Sequence, residues 1–528
     1  MIMSSTMSTE AALVPNESVF DTVSSFNEDD ANYSVLDLYD DDDEGDDSST
    51  VERKEILTTR ELEKAKAFTS LIMADPENFD RYGFSKKGYF ISQEEYDKWW
   101  TEYNRYTERR KKKWENFLLK NKIELHNDNP LVYPARTDEL SKFVRKGIPA
   151  EWRGNAWWYF AGGQRQLDAN VGVYDRLKSD CREGAVSGKD MEAIERDLYR
   201  TFPDNIHFHK ESFQNGEPAI IRSLRRVLMA FSVYDKTIGY CQSMNFLVGL
   251  LLLFMEEEKA FWMLVIITGK YLPGVYESDL EGANVDQGVL VLCIKEYLPE
   301  IWSHIESSYM NGNGSTDQIS GPASGEEYLC RLPTLTLCTA SWFMSCFVGV
   351  VPIETTLRIW DCLFYEESHF LFKVALGILK LSESEFLESK SQKLFRQYSS
   401  YTFGGSNDSD STFKRLKNKI KTQEEADMEI LQVIQNFPKR LLNPNDIFEK
   451  VLMKKKVALN GITQEKIDRG RDLSLYRSVL TLFSNYVLLC MFSSFRFSFV
   501  FFGRSCRKLG LRPDFKTIPN SRFGKKDI

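Results

Sequence analysis

Pro352-Ile353-Glu354-Thr355-Thr356-Leu357-Arg358-Ile359-Trp360-Asp361-Cys362-Leu363-Phe364 decides the fold of this 528-residue chain. Ile353, Thr356, Leu357, Trp360, Leu363 and Phe364 recur at three- and four-residue steps. That period is one face of an amphipathic α-helix, and it begins just after a proline. Upstream, Phe246–Met255 is apolar for ten residues, Gly249 among them; Glu256–Glu258 interrupts, and Ala260–Ile267 resumes. Both runs have the length of buried helices and fall short of the ~20 residues that cross a bilayer. Alternating strand patterns are scarce, so the core is expected to be all-α.

Further out the chain changes character several times. Residues 1–50 hold fourteen Asp/Glu and no Lys or Arg, so the net charge of -9 is not spread evenly. Asp40–Asp43, Glu44, Asp46 and Asp47 would repel one another in any compact state, and 1–55 is expected to be a disordered acidic segment. Residues 56–138 read as a helical extension, with Trp99, Trp100, Tyr103, Tyr106 and Trp114 along one side and Glu108–Lys113 as a solvated face. The core spans 139–390 and contains a Gly/Ser/Asn-rich flexible loop at 310–326. Accessory C-terminal helices follow over 391–473, after a polar insertion at 399–412, with an apolar stripe of Met428, Ile430, Leu431, Ile434 and Phe437. The tail, 474–528, is apolar and then basic: Val479–Phe495 has no charged residue, and Arg504, Arg507 and Lys508 flank it. A membrane anchor, a translated intron and a buried or interfacial helix all fit that pattern.

Removing both charged ends leaves residues 51–503 close to neutral, so nothing global argues for nucleic acid and none is expected as the partner. The nine cysteines include no C-x-x-C pair and read as reduced thiols packed as small hydrophobes. The first twenty residues lack the basic and apolar regions of a secretory signal. A phosphate-binding G-x-x-x-x-G-K-[ST] loop and a G-x-S-x-G elbow are both missing, so neither a nucleotide-binding enzyme nor that hydrolase class is indicated. His207 and His209 have no Cys/His pair near them in sequence; they read as surface histidines, and no metal is expected.

Three polar stretches carry the chemistry. In Arg145-Lys-Gly-Ile-Pro149-Ala-Glu-Trp-Arg153-Gly-Asn-Ala-Trp157, Pro149 suits a helix start, and Arg153 and Trp157 fall four apart on one face. In Ile194-Glu-Arg-Asp197-Leu-Tyr-Arg200-Thr-Phe-Pro203, Ile194, Asp197 and Arg200 share a helix face, so Asp197 can pair with Arg200. Pro203 should end that helix near Thr201, which places Arg200 in the last turn. In Gly239-Tyr240-Cys241-Gln242-Ser243-Met244-Asn245, Gln242 falls at the N-terminus of the apolar helix, where backbone N–H groups favour an anion. Taken singly, Arg200 reads as a cation complementing a helix C-terminus and Gln242 as a capping amide.

In order and spacing the three stretches resemble the signature motifs of TBC-domain Rab GTPase-activating proteins, R-x-G-[IV]-P, I-x-x-D-x-x-R and Y-x-Q. Ser341-Trp342-Phe343 and Pro352–Phe364 resemble the family's later blocks. Arg200-Thr-Phe-Pro-Asp-Asn205 and Gly239–Gln242 are similar to growth-hormone-regulated TBC proteins and fungal relatives. The resemblance covers roughly 140–390 and implies a TBC-type multi-helix domain. It implies that Arg200 is an arginine finger and Gln242 a glutamine finger, lent in trans to a Rab-family GTPase in its GTP form. Asp197, Tyr240, Arg145, Arg153 and Asn245 would position the fingers, support the fold or face the GTPase. The chain would need no cofactor of its own, since Mg and GTP are carried by the GTPase, and would have no independent catalytic activity. It would act in the cytoplasm in membrane traffic, peripheral to endomembranes. The alternative is a catalytically silent TBC-like scaffold that binds a Rab, although such a scaffold would be free to lose the Arg200/Gln242 pair.

Overall fold

The computed structural model describes residues 77–125, 129–209, 217–277, 279–303, 305, 332, 335–387, 423–454 and 459–475. The acidic segment, the loop at 310–326, the insertion at 399–412 and all but the first two residues of the tail lie outside them. In chain order the helices are α1 (Gln93–Lys120), α2 (Asp138–Arg145), α3 (Arg153–Ala161), α4 (Gly163–Asp168), α5 (Val173–Arg182), α6 (Gly188–Leu198), α7 (Ala219–Tyr234) and α8 (Met244–Leu251). Then come α9 (Glu257–Ile266), α10 (Glu281–Tyr297), α11 (Thr336–Met344), α12 (Ile353–Glu366), α13 (His369–Leu381), α14 (Glu383–Leu387), α15 (Gln423–Asn436) and α16 (Pro444–Ile447). Residues 464–475 are also helical. Among the described residues β structure is limited to isolated bridge positions, the pairs Phe79↔Ser85 and Phe84↔Asn205 among them, so the fold is all-α as expected.

The periodic stretch after Pro352 is α12, and it lies at the centre. Every residue from Glu354 to Tyr365 is buried, because α2, α3, α13 and α16 all pack against it. The expected single apolar face is therefore a helix covered on all sides, and its charged residues must find partners inside. Glu354 pairs with Arg81 and, at 3.4 Å, with Arg153. Asp361 accepts from Arg153 Nε at 3.3 Å, Trp157 Nε1 at 3.0 Å and the Ile148 amide at 3.1 Å. The i, i+4 spacing of Arg153 and Trp157 thus brings both onto one carboxylate. Arg358 donates to the Arg145 carbonyl at 3.1 Å and to the Tyr103 hydroxyl at 3.2 Å. Burial alone would raise the Glu354 pKa, but Arg81 and Arg153 outweigh it and hold the carboxylate below its ordinary range.

Helix α1 starts with a capping box, in which Ser92 and Glu95 exchange hydrogen bonds between side chain and backbone. Along it the Tyr103 ring stacks on Trp99 at 4.6 Å and on Tyr106 at 5.8 Å, while Trp114 Nε1 donates to the Gly147 carbonyl at 2.8 Å. The charged run Glu108–Lys113 departs from a purely solvated face. Arg110 is buried and donates to the Phe143 carbonyl at 3.1 Å, and Lys111 pairs with Glu151 at 2.6 Å. A helix laid along the body turns every third or fourth residue inward, whatever its charge. Before α1, residues 77–92 are irregular rather than helical, tightened by a turn in which Asp80 accepts from the Tyr82 and Phe84 amides at 2.9 and 2.8 Å. In α15 the expected stripe is only partly turned in: Ile430 and Ile434 are buried, whereas Met428 is exposed. No helix among the described residues is long and apolar enough to cross a membrane.

Candidate functional site

Ser187 caps α6 by accepting from the Asp190 amide at 3.1 Å, and Ile194 and Asp197 face inward. The helix ends at Leu198, earlier than Pro203 alone suggests. The Arg200 and Thr201 amides turn back to Asp197 and Leu198 in short i→i+3 bonds, and Thr201 Oγ1 donates to the Asp197 carbonyl at 2.8 Å. Arg200 therefore stands two positions beyond the last helical residue, with its side chain 60% exposed.

Asp197 links Arg200 to the second motif. One of its oxygens pairs with the Arg200 guanidinium; the other accepts from the Tyr240 hydroxyl at 2.7 Å. That hydroxyl lies 3.4 Å from Asn245 Oδ1, and Asn245 Nδ2 donates to Thr201 Oγ1 at 3.0 Å. Thr201 in turn donates to the Asp197 carbonyl, so Tyr240 and Asn245 each tie the second motif to the Asp197–Thr201 segment. Burial and the neighbouring Asp197 push the Tyr240 pKa up, so its hydroxyl stays a donor. Cys241 is likewise pushed up by burial, to about 11, and stays a thiol.

Gln242 is exposed in the turn just before α8, and Ser243, which stands at the N-cap position of α8 without a side-chain capping bond, has a left-handed φ of 92°. A non-glycine residue in that region stores strain of the kind that gathers at functional sites. Gly239, at φ +63°, brings the chain past Asp190: an added Cβ would lie 3.0 Å from Asp190 Oδ2, and the Tyr240 amide donates to Oδ1 at 3.2 Å. Gly249 lets α8 close on the Arg200 loop, since a Cβ there would lie 2.7 Å from Thr201 Cγ2.

A second tether was not visible in the sequence. The Tyr199 hydroxyl donates to Glu217 Oε1 at 2.6 Å, and Arg225 clamps Glu217 and Glu195, the latter at 2.6 Å. Glu195 and Tyr199 share a face of α6 at i, i+4, but Glu217 and Arg225 come from a later part of the chain, so spacing alone does not reveal the cluster.

The Rab-GTPase-TBC domain family matches residues 150–320 and 326–387 of the chain. Over 429 residues the chain is 54% identical to the GTPase-activating protein GYP3 of Saccharomyces cerevisiae, an alignment covering 78% of this chain and 66% of that protein, just under two thirds of its length. Over 314 residues it is 34% identical to growth hormone-regulated TBC protein 1 of Homo sapiens, covering 59% of this chain and 80% of that protein. The chain belongs to the Rab-GTPase-TBC family. A crystal structure of the Chlamydomonas flagellar RabGAP TBC domain aligns with 68% of this chain and 99% of that one, at 24% identity and a TM-score of 0.44.

The remaining candidate residues of this TBC chain stand elsewhere. Arg145, at the end of α2, makes a bidentate pair with Glu366 at 2.5 and 2.7 Å. Arg153 is 2% exposed and wholly engaged by Asp361, Glu354 and the Tyr82 hydroxyl. It is a structural arginine and cannot face a partner. Asn245 is buried, where its amide holds Thr201. The surface reading of His207 is overturned as well. It is buried against Gly83, and desolvation lowers its pKa to about 3; His209 alone is exposed. Among the described residues no group of three or more His, Cys, Asp or Glu side chains could hold a metal ion.

Proposed function

We propose that this chain accelerates GTP hydrolysis by a Rab-family GTPase in its GTP form, with Arg200 as the arginine finger and Gln242 as the glutamine finger. One observation carries the reading: Arg200 and Gln242 are both exposed, and two side-chain hydrogen bonds, Tyr240 to Asp197 and Asn245 to Thr201, tie their two segments together. Hydrolysis is limited by charge that builds on the phosphoryl oxygens and by the orientation of the attacking water. A guanidinium meets that charge with a rigid, permanently cationic fork, which an ammonium does not match. Arg200 has one carboxylate partner and is mostly solvated, so exchanging Asp197 for a phosphate oxygen costs little. Asp197, fixed by Tyr240, orients the guanidinium until then. The Gln242 amide can donate to phosphate and accept from water at the same time, as a carboxylate cannot.

On this reading GTP and Mg belong to the GTPase, and the chain supplies two side chains in trans rather than a substrate site of its own. Its place would be the cytoplasmic side of endomembranes in vesicle traffic, with the tail 474–528 as a route to membrane association. The test is phosphate release from a panel of GTP-loaded Rab proteins with wild type, Arg200→Ala, Arg200→Lys and Gln242→Ala. Wild type accelerates at least one Rab, and each variant loses that acceleration. Activation that survives in Arg200→Ala rejects the assignment; binding without any acceleration favours the silent scaffold.

A further inference from the structure

The loop that carries Arg200 does not hold its own shape. Phe202 has a φ of 151°, a strained value for a residue with a side chain, and such strain persists only where the surroundings impose it. Much of what imposes it comes from a short segment well before the start of the family match at residue 150. Phe84 and Asn205 form an antiparallel bridge; the Ser85 amide donates to the Asp204 carbonyl at 3.0 Å and the Ile206 amide to the Gly83 carbonyl at 2.9 Å. Asn205 Nδ2 donates to the Tyr82 carbonyl at 2.9 Å, and the Phe84 ring meets the Phe202 ring edge-on at 5.2 Å. His207 fills the space beside Gly83, whose φ of +83° and lack of a Cβ permit the approach; a Cβ would lie 2.6 Å from the imidazole.

The other end of the segment is fixed to the centre of the molecule. Arg153 Nη1 donates to the Tyr82 hydroxyl at 2.6 Å, and Arg81 pairs with Glu354 on α12. Asp80 closes the turn between these anchors. One strap of six residues, 80–85, thus joins the buried charge cluster at the centre to the loop that carries the exposed Arg200.

We infer that Asp80–Ser85 is a positioning element for Arg200, built into the chain outside the matched domain. The inference rests on the reading of Arg200 as the finger. The strap touches no phosphate and no water of the reaction. It fixes where the loop after α6 leaves the body, and so where the guanidinium stands when the GTPase docks. Misplacing a catalytic group by about 1 Å costs on the order of 100-fold in rate without weakening the encounter of the two proteins.

The test uses the full chain with Gly83→Ala, Phe84→Leu and, in parallel, Arg200→Ala. Three quantities are read: the maximal single-turnover hydrolysis rate with the Rab that wild type activates most, affinity for that Rab loaded with a non-hydrolysable GTP analogue, and amide hydrogen exchange over 199–209 in the free chain. Phe84→Leu leaves the backbone bridge intact, so the test survives if Gly83→Ala does not fold. The expected result is a maximal rate lowered roughly 10- to 100-fold, affinity within about twofold, and faster exchange confined to 199–209. An unchanged maximal rate in the folded strap variants, with Arg200→Ala inactive, overturns the inference, as does an equal loss of affinity. Activity retained by Arg200→Ala instead overturns the finger reading, on which the strap's catalytic role depends.

Discussion

Two arginines of this chain, Arg153 and Arg200, each face carboxylates, one at the centre and the other at the rim. Arg153 is 2% exposed and bound to Asp361, Glu354 and Tyr82; Arg200 is 60% exposed and bound to Asp197. The chemistry is the same and the consequence opposite. A buried guanidinium cannot give up its partners without leaving ions stranded away from water, whereas an exposed one exchanges a carboxylate for another anion at little cost. Exposure, rather than residue type, separates the arginine that builds from the arginine that can be lent.

The sharpest way to break this comparison is Arg200→Ala. Activation of the GTPase should fall by about 10³–10⁵-fold, while the urea midpoint stays near wild type because an exposed pair contributes about 0–1 kcal/mol. A large loss of stability would mean that Arg200 belongs with the builders. Next comes Arg153→Ala, which leaves Asp361 and Glu354 short of a counter-charge and should cost about 3–5 kcal/mol by urea unfolding; a loss below about 1 kcal/mol would erase the distinction. Gly249→Ala probes the junction of α8 with the rim. The added methyl meets Thr201 Cγ2 at 2.7 Å, so we expect a loss of about 1–3 kcal/mol together with reduced activation, seen in parallel unfolding and phosphate-release assays.

The last test concerns pH at the strap. Burial raises the Asp80 pKa from 3.8 to about 7, with Glu354 adding to the rise and Arg81 and the two backbone amides opposing it. A carboxyl with a raised folded-state pKa contributes stability in full below its unfolded value and loses it as pH rises towards 7. Asp80→Asn keeps an acceptor for both amides and removes the proton. Unfolding measured from pH 4 to 8 should show the wild type losing stability relative to the variant, at a rate of at most about 1.4 kcal/mol per pH unit. Parallel curves would show that Asp80 does not titrate in this window.

The fold was legible where side chains repeat. The period after Pro352 marks α12, the spacing of Arg153 and Trp157 marks a shared face, and Ile194 and Asp197 mark α6, although the helix ends at Leu198, before Arg200. Partners are what a period cannot reveal. Glu354, Arg358 and Asp361 look like the wet side of an amphipathic helix, and only tertiary packing shows them buried. His207 looked like a surface residue because its neighbour in space, Gly83, lies more than a hundred positions away in the chain. The strap carries no repeat, and its role depends on backbone bonds that any sequence can make. The Arg200–Asp197 pair was readable from spacing, but the Tyr240 and Asn245 bonds that hold it were not.

Asp361 also bears on how this molecule comes into being. The groups it accepts from, on Ile148, Arg153 and Trp157, emerge from the ribosome more than two hundred residues before it does. Contacts of such long range close late, so the early portion must wait with an unanswered cation and bare tryptophan surface. Until α12 has emerged, Arg153 lacks both of its carboxylate partners, so this buried cluster closes only after synthesis has passed Asp361.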